Sequence, residues 1–495
     1  MLGIMPSVPR TRPRPELGPQ RHPGAAVALP RPAFWPRLLA LAVGLASFTR
    51  LPSFTQPFWN PDEGFLATQA RMLAAGGTLY ETVVDRKPPL LPWLYEAAFA
   101  LFGDRSLWPL RVAAILAQVV TAVLLAAVAR RRWGDRAGRA APVLYLLVSI
   151  GLNPQDGQAA NFEVFLLPWT AAALWCADRA RWYGAGLAVA GALLTKQTGG
   201  AALLPVLCLL RYAPGGRRRA AVLLSAGLAG PFVLVACLTE PRRLLFWTVT
   251  GSGAYADVAG SVLTAAGRAA GNTALVAAAC AGLLLPLLRC RPDRATGLWP
   301  WLGASAVGVA VGFHFFGHYY AQILPPLALP AAGALARLPA GATRRSLLLC
   351  GVSCGAFWGW GLVAQPPDLP HARGVVAAVR ARTEPREPVL IWGMHPEQYW
   401  LADRAPGSRF LTAGLLTNYS GGRGPARVGP AHAVPGTWPT FRRELAARPP
   451  ALVVDDSRGA PYAPSRTPAL RALLHSRYER SGVADGAVLY VRRAG

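Results

Sequence analysis

The 495-residue chain is 53% hydrophobic and 15% charged, with a mean hydropathy of +0.30. This composition excludes an ordinary soluble protein and indicates a membrane protein with several spans. The net charge of +27 would suggest a nucleic-acid partner in a soluble chain. Here the arginines fall in short clusters between apolar runs, so they indicate membrane topology and no nucleic-acid partner is expected.

The chain begins with a tail, residues 1–35, that is rich in proline and arginine and lacks periodicity, so we expect a disordered cytoplasmic segment. Eleven apolar runs follow as candidate spans: 36–54, 108–130, 139–152, 163–180, 183–197, 199–212, 220–238, 270–289, 298–316, 320–336 and 346–364. Basic clusters such as Arg130-Arg131-Arg132 and Arg217-Arg218-Arg219 occur at every second connection. The positive-inside rule then places the N-terminus in the cytoplasm and the C-terminus outside.

One further apolar stretch, residues 88–103, is too short to cross. At ~1.5 Å per residue it covers about 24 Å, less than the ~30 Å hydrocarbon core. We interpret it as a juxtamembrane or re-entrant helix, which leaves residues 55–107 as an external first loop. Residues 365–495 also lie outside in this scheme and combine more charge with short β-like runs such as 389–392, so we expect a small external soluble α/β domain.

Lysine is rare in this chain. Of 51 Lys+Arg residues, only Lys87 and Lys196 are lysines, and both lie where an apolar run meets water. An ammonium is a compact point charge suited to a phosphate, whereas guanidinium is a planar fork. We therefore predict that Lys87 contacts a lipid phosphate. The alternative is that both lysines extend to the interface as any basic residue would.

Three carboxylates on the predicted external face are catalytic candidates. Asp62 and Glu63 precede a stretch with helical apolar spacing, so they are expected at a helix N-terminus, where a simple capping role is the alternative. Glu163 opens an apolar run, and a carboxylate near hydrocarbon is costly and hence a candidate for function. An interfacial glutamate without a role is its alternative.

These motifs, taken together, resemble the GT-C superfamily of polyprenyl-phosphate-sugar glycosyltransferases. More narrowly, they resemble the bacterial aminoarabinose-transferase, RgtA/B/C/D-like and protein-mannosyltransferase-like group, of glycosyltransferase family 39 type. The resemblance extends over about residues 36–364. Its motifs are Asn60-Pro61-Asp62-Glu63, Arg86-Lys87-Pro88-Pro89-Leu90, Asn161-Phe162-Glu163-Val164-Phe165, Lys196-Gln197, and His318-Tyr319-Tyr320 followed by Leu324-Pro325-Pro326-Leu327.

The resemblance implies a multi-span α-helical GT-C domain at residues 36–364, followed by the external domain. It implies that Asp62 activates an acceptor hydroxyl, which displaces lipid phosphate from the anomeric carbon with inversion, while Lys87 contacts the phosphate. Lys196 is expected as a second phosphate contact. Glu163 is expected to orient the acceptor, bind a cation or tune Asp62 by like-charge repulsion. The remaining expected groove residues are Arg86, Gln197, His318, Tyr319 and Tyr320.

The expected partners are a polyprenyl-phosphate monosaccharide, membrane lipid, and an acceptor glycan, lipid or protein. The expected location is the cell membrane, with the active site facing the periplasm or cell exterior. The chain differs from protein mannosyltransferases at two positions that bear on the acceptor. It has Lys-Pro-Pro where those enzymes have His-Pro-Pro, and it has Glu163 where aspartate is common. A protein acceptor is therefore not implied.

Cofactor use is undetermined by the sequence, with a divalent cation as one option. His314 and His318 have the i, i+4 spacing of a zinc-binding pair on a helix, although interfacial histidines without metal are commoner. Two other function classes stay open. A transporter or lipid-linked-sugar flippase would place ionisable residues at mid-span, and a catalytically inactive binding subunit would show no transfer.

Overall fold

The computed structural model describes residues 34–251, 261–419 and 424–493. Most of the chain is helical, and the predicted cytoplasmic tail lies almost wholly outside the described residues. The helices up to residue 363 are α1 Phe34–Arg50, α2 Pro61–Ala74, α3 Leu90–Phe102, α4 Trp108–Trp133, α5 Asp135–Val148, α6 Pro154–Gly157, α7 Phe162–Asp178, α8 Trp182–Thr195, α9 Leu203–Leu210, α10 Arg217–Leu238, α11 Pro241–Thr248, α12 Val262–Ala279, α13 Ala281–Arg289, α14 Leu298–Ala310, α15 Leu324–Arg337 and α16 Ala340–Val363.

Each of the eleven predicted apolar runs contains a helix or a helix pair. Within the described residues, four helical segments are long and apolar enough to cross a membrane, namely Phe34–Thr55, Trp108–Trp133, Arg217–Leu238 and Ala340–Val363. The pair α12 and α13, bent by 74°, would make a fifth as one broken span. These segments identify an integral membrane protein, while the count of eleven spans and its orientation stay predictions.

The predicted external loop folds into two short helices that pack against each other, α2 and α3. Helix α2 begins where Asn60 accepts a hydrogen bond from the Asp62 N–H at 3.0 Å, with Pro61 at its first position. Both features are typical helix starts. Helix α3 has 13 residues, and a helix of that length is short of a bilayer.

The interior of the helical part is built from α4, α5, α7 and α15. On α15, small side chains such as Ala328, Ala331 and Ala332 are fully buried against these neighbours. Small residues let helix backbones approach closely, which is how helices pack in membranes without a strong hydrophobic driving force.

The C-terminal part contains a four-stranded sheet in the order β1-β2-β4-β3. Strand β1 (Val389–Trp392) is parallel to β2 (Leu452–Asp455), whereas β4 (Ala487–Arg492) is antiparallel to β2 and to β3 (Tyr478–Ala484). The predicted β-like run at residues 389–392 is therefore a strand. The accompanying helices are α17 Leu369–Arg380, α18 Glu397–Ala402, α19 Gly414–Thr417, α20 Thr437–Ala447 and α21 Pro468–Arg477.

The C-terminal part packs directly on α2. The Thr68 hydroxyl donates to the Pro396 carbonyl at 3.2 Å, and the Arg71 guanidinium donates to the Trp400 carbonyl at 3.0 Å. A Cβ placed on Gly64 would lie 2.2 Å from the Cβ of Glu397. Only glycine permits this approach, so the sequence at position 64 fixes how closely α18 sits on the helix that carries Asp62.

Candidate active site

The predicted site contains two lysine–carboxylate pairs. In the first pair, the Lys87 Nζ lies 3.1 Å from the Asp62 Oδ2. The side chains of Asp62 and Lys87 retain 34% and 29% of their surface exposed. A substrate can therefore reach both charged groups.

The loop that carries Lys87 is fixed on both sides of that residue. Asp85 accepts a hydrogen bond from the Lys87 N–H at 3.1 Å, and the Tyr80 hydroxyl donates to the Lys87 carbonyl at 2.9 Å. Gln197 donates to the Arg86 carbonyl at 2.7 Å and to the Thr248 carbonyl at 3.1 Å. The ammonium is thus presented by a constrained backbone.

The second pair joins Glu163, in the first turn of α7, to Lys196, the residue that follows α8. The two side chains are in direct ionic contact, and Glu163 is 1% exposed. The Lys196 Nζ also lies 3.9 Å from the centre of the Tyr319 ring, a cation–π contact.

Phe162 connects the two pairs. Its ring lies 4.1 Å from the Lys87 Nζ, while Glu163, the next residue, holds Lys196. The start of α7 therefore contacts both lysines of the chain. Two ammonium groups that contact adjacent residues offer the positive charge that binds a phosphate ester.

His318 adds a third polar pair. Its Nδ1 lies 2.7 Å from the Oδ1 of Asp156, a residue that sequence reasoning had not assigned. Asp156 belongs to the short helix α6, whose start is capped by Asn153. A Cβ on Gly317 would lie 2.3 Å from the Asp156 Oδ2, so glycine at position 317 makes room for this carboxylate.

The charges of these groups influence one another. Burial on its own raises the pKa of Asp62, but the positive charges of Lys87 and His318 outweigh it and hold that pKa below its usual value. Burial lowers the pKa of His318, yet Glu163 and Asp156 outweigh that effect and raise it. The site therefore favours an ionised Asp62 beside a readily protonated imidazole.

The sequence matches the family described as "Dolichyl-phosphate-mannose-protein mannosyltransferase" over residues 86–240. It is 33% identical over 237 residues to the undecaprenyl phosphate-alpha-4-amino-4-deoxy-L-arabinose arabinosyl transferase 1 of Pseudomonas fluorescens, and 32% identical over 218 residues to a Pseudomonas aeruginosa relative of the same name. These alignments cover 42% and 41% of this chain, and 42% and 39% of the relatives. The matched region thus spans less than half the length of either relative.

Solved structures show the same fold over nearly the whole chain. ArnT from Cupriavidus metallidurans bound to undecaprenyl phosphate aligns with a TM-score of 0.61 at 17% identity, covering 93% of this chain and 98% of that one. At this identity the match shows a shared fold. The Archaeoglobus fulgidus oligosaccharyltransferase, in complex with Zn and sulfate, aligns at a TM-score of 0.50 and 14% identity, covering 92% and 73%. The resemblance drawn from the sequence motifs is confirmed.

Glu63 is one of the three predicted catalytic carboxylates. Glu63 is fully buried. It accepts hydrogen bonds from the Trp59 N–H at 2.6 Å and the Ala160 N–H at 2.8 Å, with the Arg111 guanidinium 3.9 Å away. Both carboxylate oxygens are therefore engaged with the backbone, so the geometry favours a positioning role for Glu63 over proton transfer.

Two of the predicted groove residues are also held by the protein itself. The Gln197 amide is engaged by the two backbone carbonyls described above, which favours support of the Lys87 loop over substrate contact. Tyr320 is 4% exposed, its hydroxyl 3.0 Å from the Thr273 Oγ1 and 3.3 Å from the Ala269 carbonyl. It links the 317–323 segment to α12. Tyr319, His318 and the half-buried Arg86 remain close to the lysine–carboxylate pairs.

His314 and His318, the weak candidates for a metal pair, do not share a helical face, because the segment between them is not an α-helix. Helix α14 ends at Ala310, and Phe313 and Phe315 have positive φ values of 52° and 48°. Each imidazole instead stacks on the Phe316 ring, with centroids 5.5 and 5.7 Å apart, and His318 is bound to Asp156. The i, i+4 spacing therefore does not bring the two imidazoles onto one helical face.

Proposed function

We propose that this chain is a membrane glycosyltransferase that moves a monosaccharide from a polyprenyl-phosphate donor to an acceptor hydroxyl, with inversion. The observation that carries the proposal is the junction at Phe162 and Glu163, which brings Lys87 and Lys196 together beside Asp62. A lipid phosphate fits two adjacent ammonium groups. The names of the arabinosyl transferase relatives, which specify an undecaprenyl phosphate sugar, support the same donor class.

In this mechanism Asp62 is the general base. The acceptor oxygen forms a bond to the anomeric carbon while its proton passes to the Asp62 carboxylate. The bond between the anomeric carbon and the phosphate oxygen breaks, and its electron pair stays on the departing polyprenyl phosphate. Lys87 and Lys196 compensate the negative charge that develops there.

Donor binding also prepares the base. Lys87 contacts Asp62 in the structure, and its positive charge lowers the pKa of Asp62. When the donor phosphate binds the Lys87 ammonium in place of Asp62, this lowering is lost. Asp62 then becomes a stronger proton acceptor when the donor is in place. Glu163 acts by holding Lys196. Asp156 holds His318, whose protonated imidazole adds positive charge that acts on Asp62.

The wider architecture is part of the proposal. Residues 36–364 form the transmembrane catalytic domain with eleven spans, and residues 365–495 form a domain on the external face. The active site faces the periplasm or cell exterior of a plasma membrane. The acceptor is a glycan, lipid or protein, and the donor is a hexosyl or pentosyl phosphate lipid.

A donor-consumption assay tests this function. Purified protein in lipid is incubated with a panel of radiolabelled polyprenyl-phosphate monosaccharides and with membrane extract as acceptor source, and loss of lipid-linked label is followed. The expected result is turnover of at least one donor. Failure with every donor would contradict the proposal and favour a transporter or a binding subunit.

In the same assay Asp62→Asn should lose turnover, and Asp104→Asn is its matched control. Asp104 lies on the same predicted face, its side chain is 44% exposed, and it pairs with Arg71 away from both lysines. Removing an exposed ion pair costs about 0–1 kcal/mol, so this variant should retain turnover. Equal loss in both variants would show that the assay reports folding and not the role of Asp62.

A further inference from the structure

A second cluster of ionisable side chains lies in the C-terminal sheet domain, apart from the lysine–carboxylate pairs. Strands β1 and β2 are parallel, so the segments that follow them leave the same edge of the sheet. His395 follows β1 and Asp456 follows β2 directly, while His371 is near the start of α17. The three residues are far apart in sequence and meet only because of this topology.

The geometry of the three side chains suits a metal ion. Each offers one ligand atom, and these atoms lie within 4.8 Å of one another. The His371 Nε2 is 2.9 Å from both carboxylate oxygens of Asp456, and the two imidazole centroids are 5.3 Å apart. The Asp456 side chain is fully buried, and those of His371 and His395 are 11% and 12% exposed.

Glu397 orients the His395 ring by a hydrogen bond to its Nδ1. Its Oε1 lies 3.2 Å from the His395 Nδ1, and its side chain is fully buried. A carboxylate that receives the second ring N–H of a histidine is the usual partner of a metal-bound imidazole. The Glu397 Oε2 has no hydrogen-bond partner within the described part of the chain.

In this structure the Arg458 guanidinium contacts two of the atoms that would bind the ion. The Arg458 Nη2 is 2.8 Å from the His395 Nε2, and its Nε is 3.3 Å from the Asp456 Oδ1. Guanidinium nitrogens can only donate, so the His395 Nε2 presents its lone pair. That lone pair is the one a metal would take. Arg458 is 45% exposed and can turn to solvent when a cation replaces it.

We propose that His371, His395 and Asp456 bind a Zn²⁺ ion, with Glu397 holding His395 in the ligating tautomer. Two imidazoles and a carboxylate are ligands that zinc prefers, and a water would complete a tetrahedral set. This site is independent of the proposed transfer reaction. It goes beyond that function by assigning a metal to the C-terminal domain.

The ion would act on the interface with α2. The segment between His395 and Glu397 touches that helix, since Pro396 accepts the Thr68 hydrogen bond and Glu397 closes on Gly64. Fixing His395 therefore fixes the surface on which the Asp62-bearing helix rests. We expect loss of zinc to lower the melting temperature of the protein under conditions in which donor binding is still unchanged.

Zinc content tests the site directly. The full chain, carrying a tag without histidines, is loaded with one equivalent of Zn²⁺, dialysed and measured by elemental analysis. We expect about one zinc per chain in wild type and a loss of more than tenfold in the His371→Gln and His395→Gln variants. His475→Gln, an exposed histidine of the same domain, should retain the ion.

Two further variants distinguish zinc bound at this cluster from zinc bound elsewhere in the protein. Asp62→Asn should keep its zinc, because a loss there would place the ion in the predicted active site and overturn the proposal. Arg458→Ala should bind zinc more tightly, by about tenfold, since the competing cation is gone. Co²⁺ added to wild type should give the visible absorption of a tetrahedral site, and this measurement does not depend on how the variants fold.

The proposal is overturned if wild type retains no zinc, or if His371→Gln and His395→Gln retain as much as wild type. It is also overturned if Arg458→Ala lowers the melting temperature more than both histidine variants while zinc has no effect. That result would make Arg458 the permanent cation of the cluster.

Discussion

Asp62 and Glu63 are adjacent in the first turn of α2 but face different environments. The Asp62 carboxylate contacts the partly exposed Lys87 ammonium at 3.1 Å, whereas Glu63 is fully buried and receives two backbone N–H groups. The Asp62 carboxylate is therefore available to substrate, whereas the Glu63 carboxylate holds the backbone of neighbouring segments in place. Substitutions at the two positions should therefore have different consequences.

Glu63→Gln should destabilise the protein without abolishing its chemistry. One carboxylate oxygen becomes an amide NH₂ that faces the N–H of Trp59 or Ala160, so a buried acceptor is replaced by a donor. Such a loss costs about 1–3 kcal/mol. We expect a lower melting temperature with kcat per folded molecule within about tenfold of wild type. Loss of turnover at an unchanged melting temperature would instead make Glu63 catalytic.

Lys196→Met should be strongly destabilising, because it leaves Glu163 buried without its partner. Breaking a buried ion pair from one side costs about 3–5 kcal/mol. Glu163→Gln combined with Lys196→Met should recover most of this stability, while transfer stays low because the phosphate has lost an ammonium. Arg243→Met, which removes an exposed ion pair with Glu81, is the control. A double variant with normal transfer would exclude Lys196 from phosphate binding.

The stability of the protein should depend on pH through His318. Asp156 and Glu163 raise its folded-state pKa above the unfolded value of about 6.5. The protonated imidazole therefore stabilises the fold below that pH, and this contribution is lost as pH rises through the folded pKa. As pH rises from about 6.5 through the folded-state pKa of His318, the melting temperature should fall in wild type and fall less in His318→Gln. Parallel curves for the two proteins would contradict the assignment.

Gly64→Ala should separate the C-terminal domain from α2. The added Cβ would stand 2.2 Å from the Glu397 Cβ and 2.4 Å from its Cα, and overpacking of this kind costs about 1–3 kcal/mol. Gly44→Ala is the matched control, because a Cβ there meets nothing within 4 Å. We expect a lower melting temperature and faster proteolysis at the domain boundary in Gly64→Ala only. Equal behaviour of the two variants would show that the interface tolerates the displacement.

Much of this organisation could be predicted from residue type and order. The apolar runs fall on helices, and the rarity of lysine directed attention to Lys87 and Lys196, each of which contacts a carboxylate in the structure. The sequence could not say which of Asp62 and Glu63 faces the site. Neighbours on a helix point about 100° apart, and only tertiary packing decides which one turns inward.

Other features depend on contacts that local patterns do not encode. The helical spacing expected between His314 and His318 is absent because Phe313 and Phe315 adopt positive φ values that phenylalanine rarely takes. Asp156 has no distinctive motif, and its role appears only when Gly317 brings His318 beside it. The cluster of His371, His395 and Asp456 needs the parallel pairing of β1 and β2, which spacing along the chain does not reveal.

The role of Asp62 as the base for sugar transfer can be tested by measuring donor binding and turnover together in Asp62→Asn. The amide keeps the shape of the side chain but cannot take up the acceptor proton. We predict donor affinity within about threefold of wild type and a kcat lower by about 100- to 10,000-fold, the usual contribution of general base catalysis. Turnover at the wild-type rate with normal affinity would contradict this role.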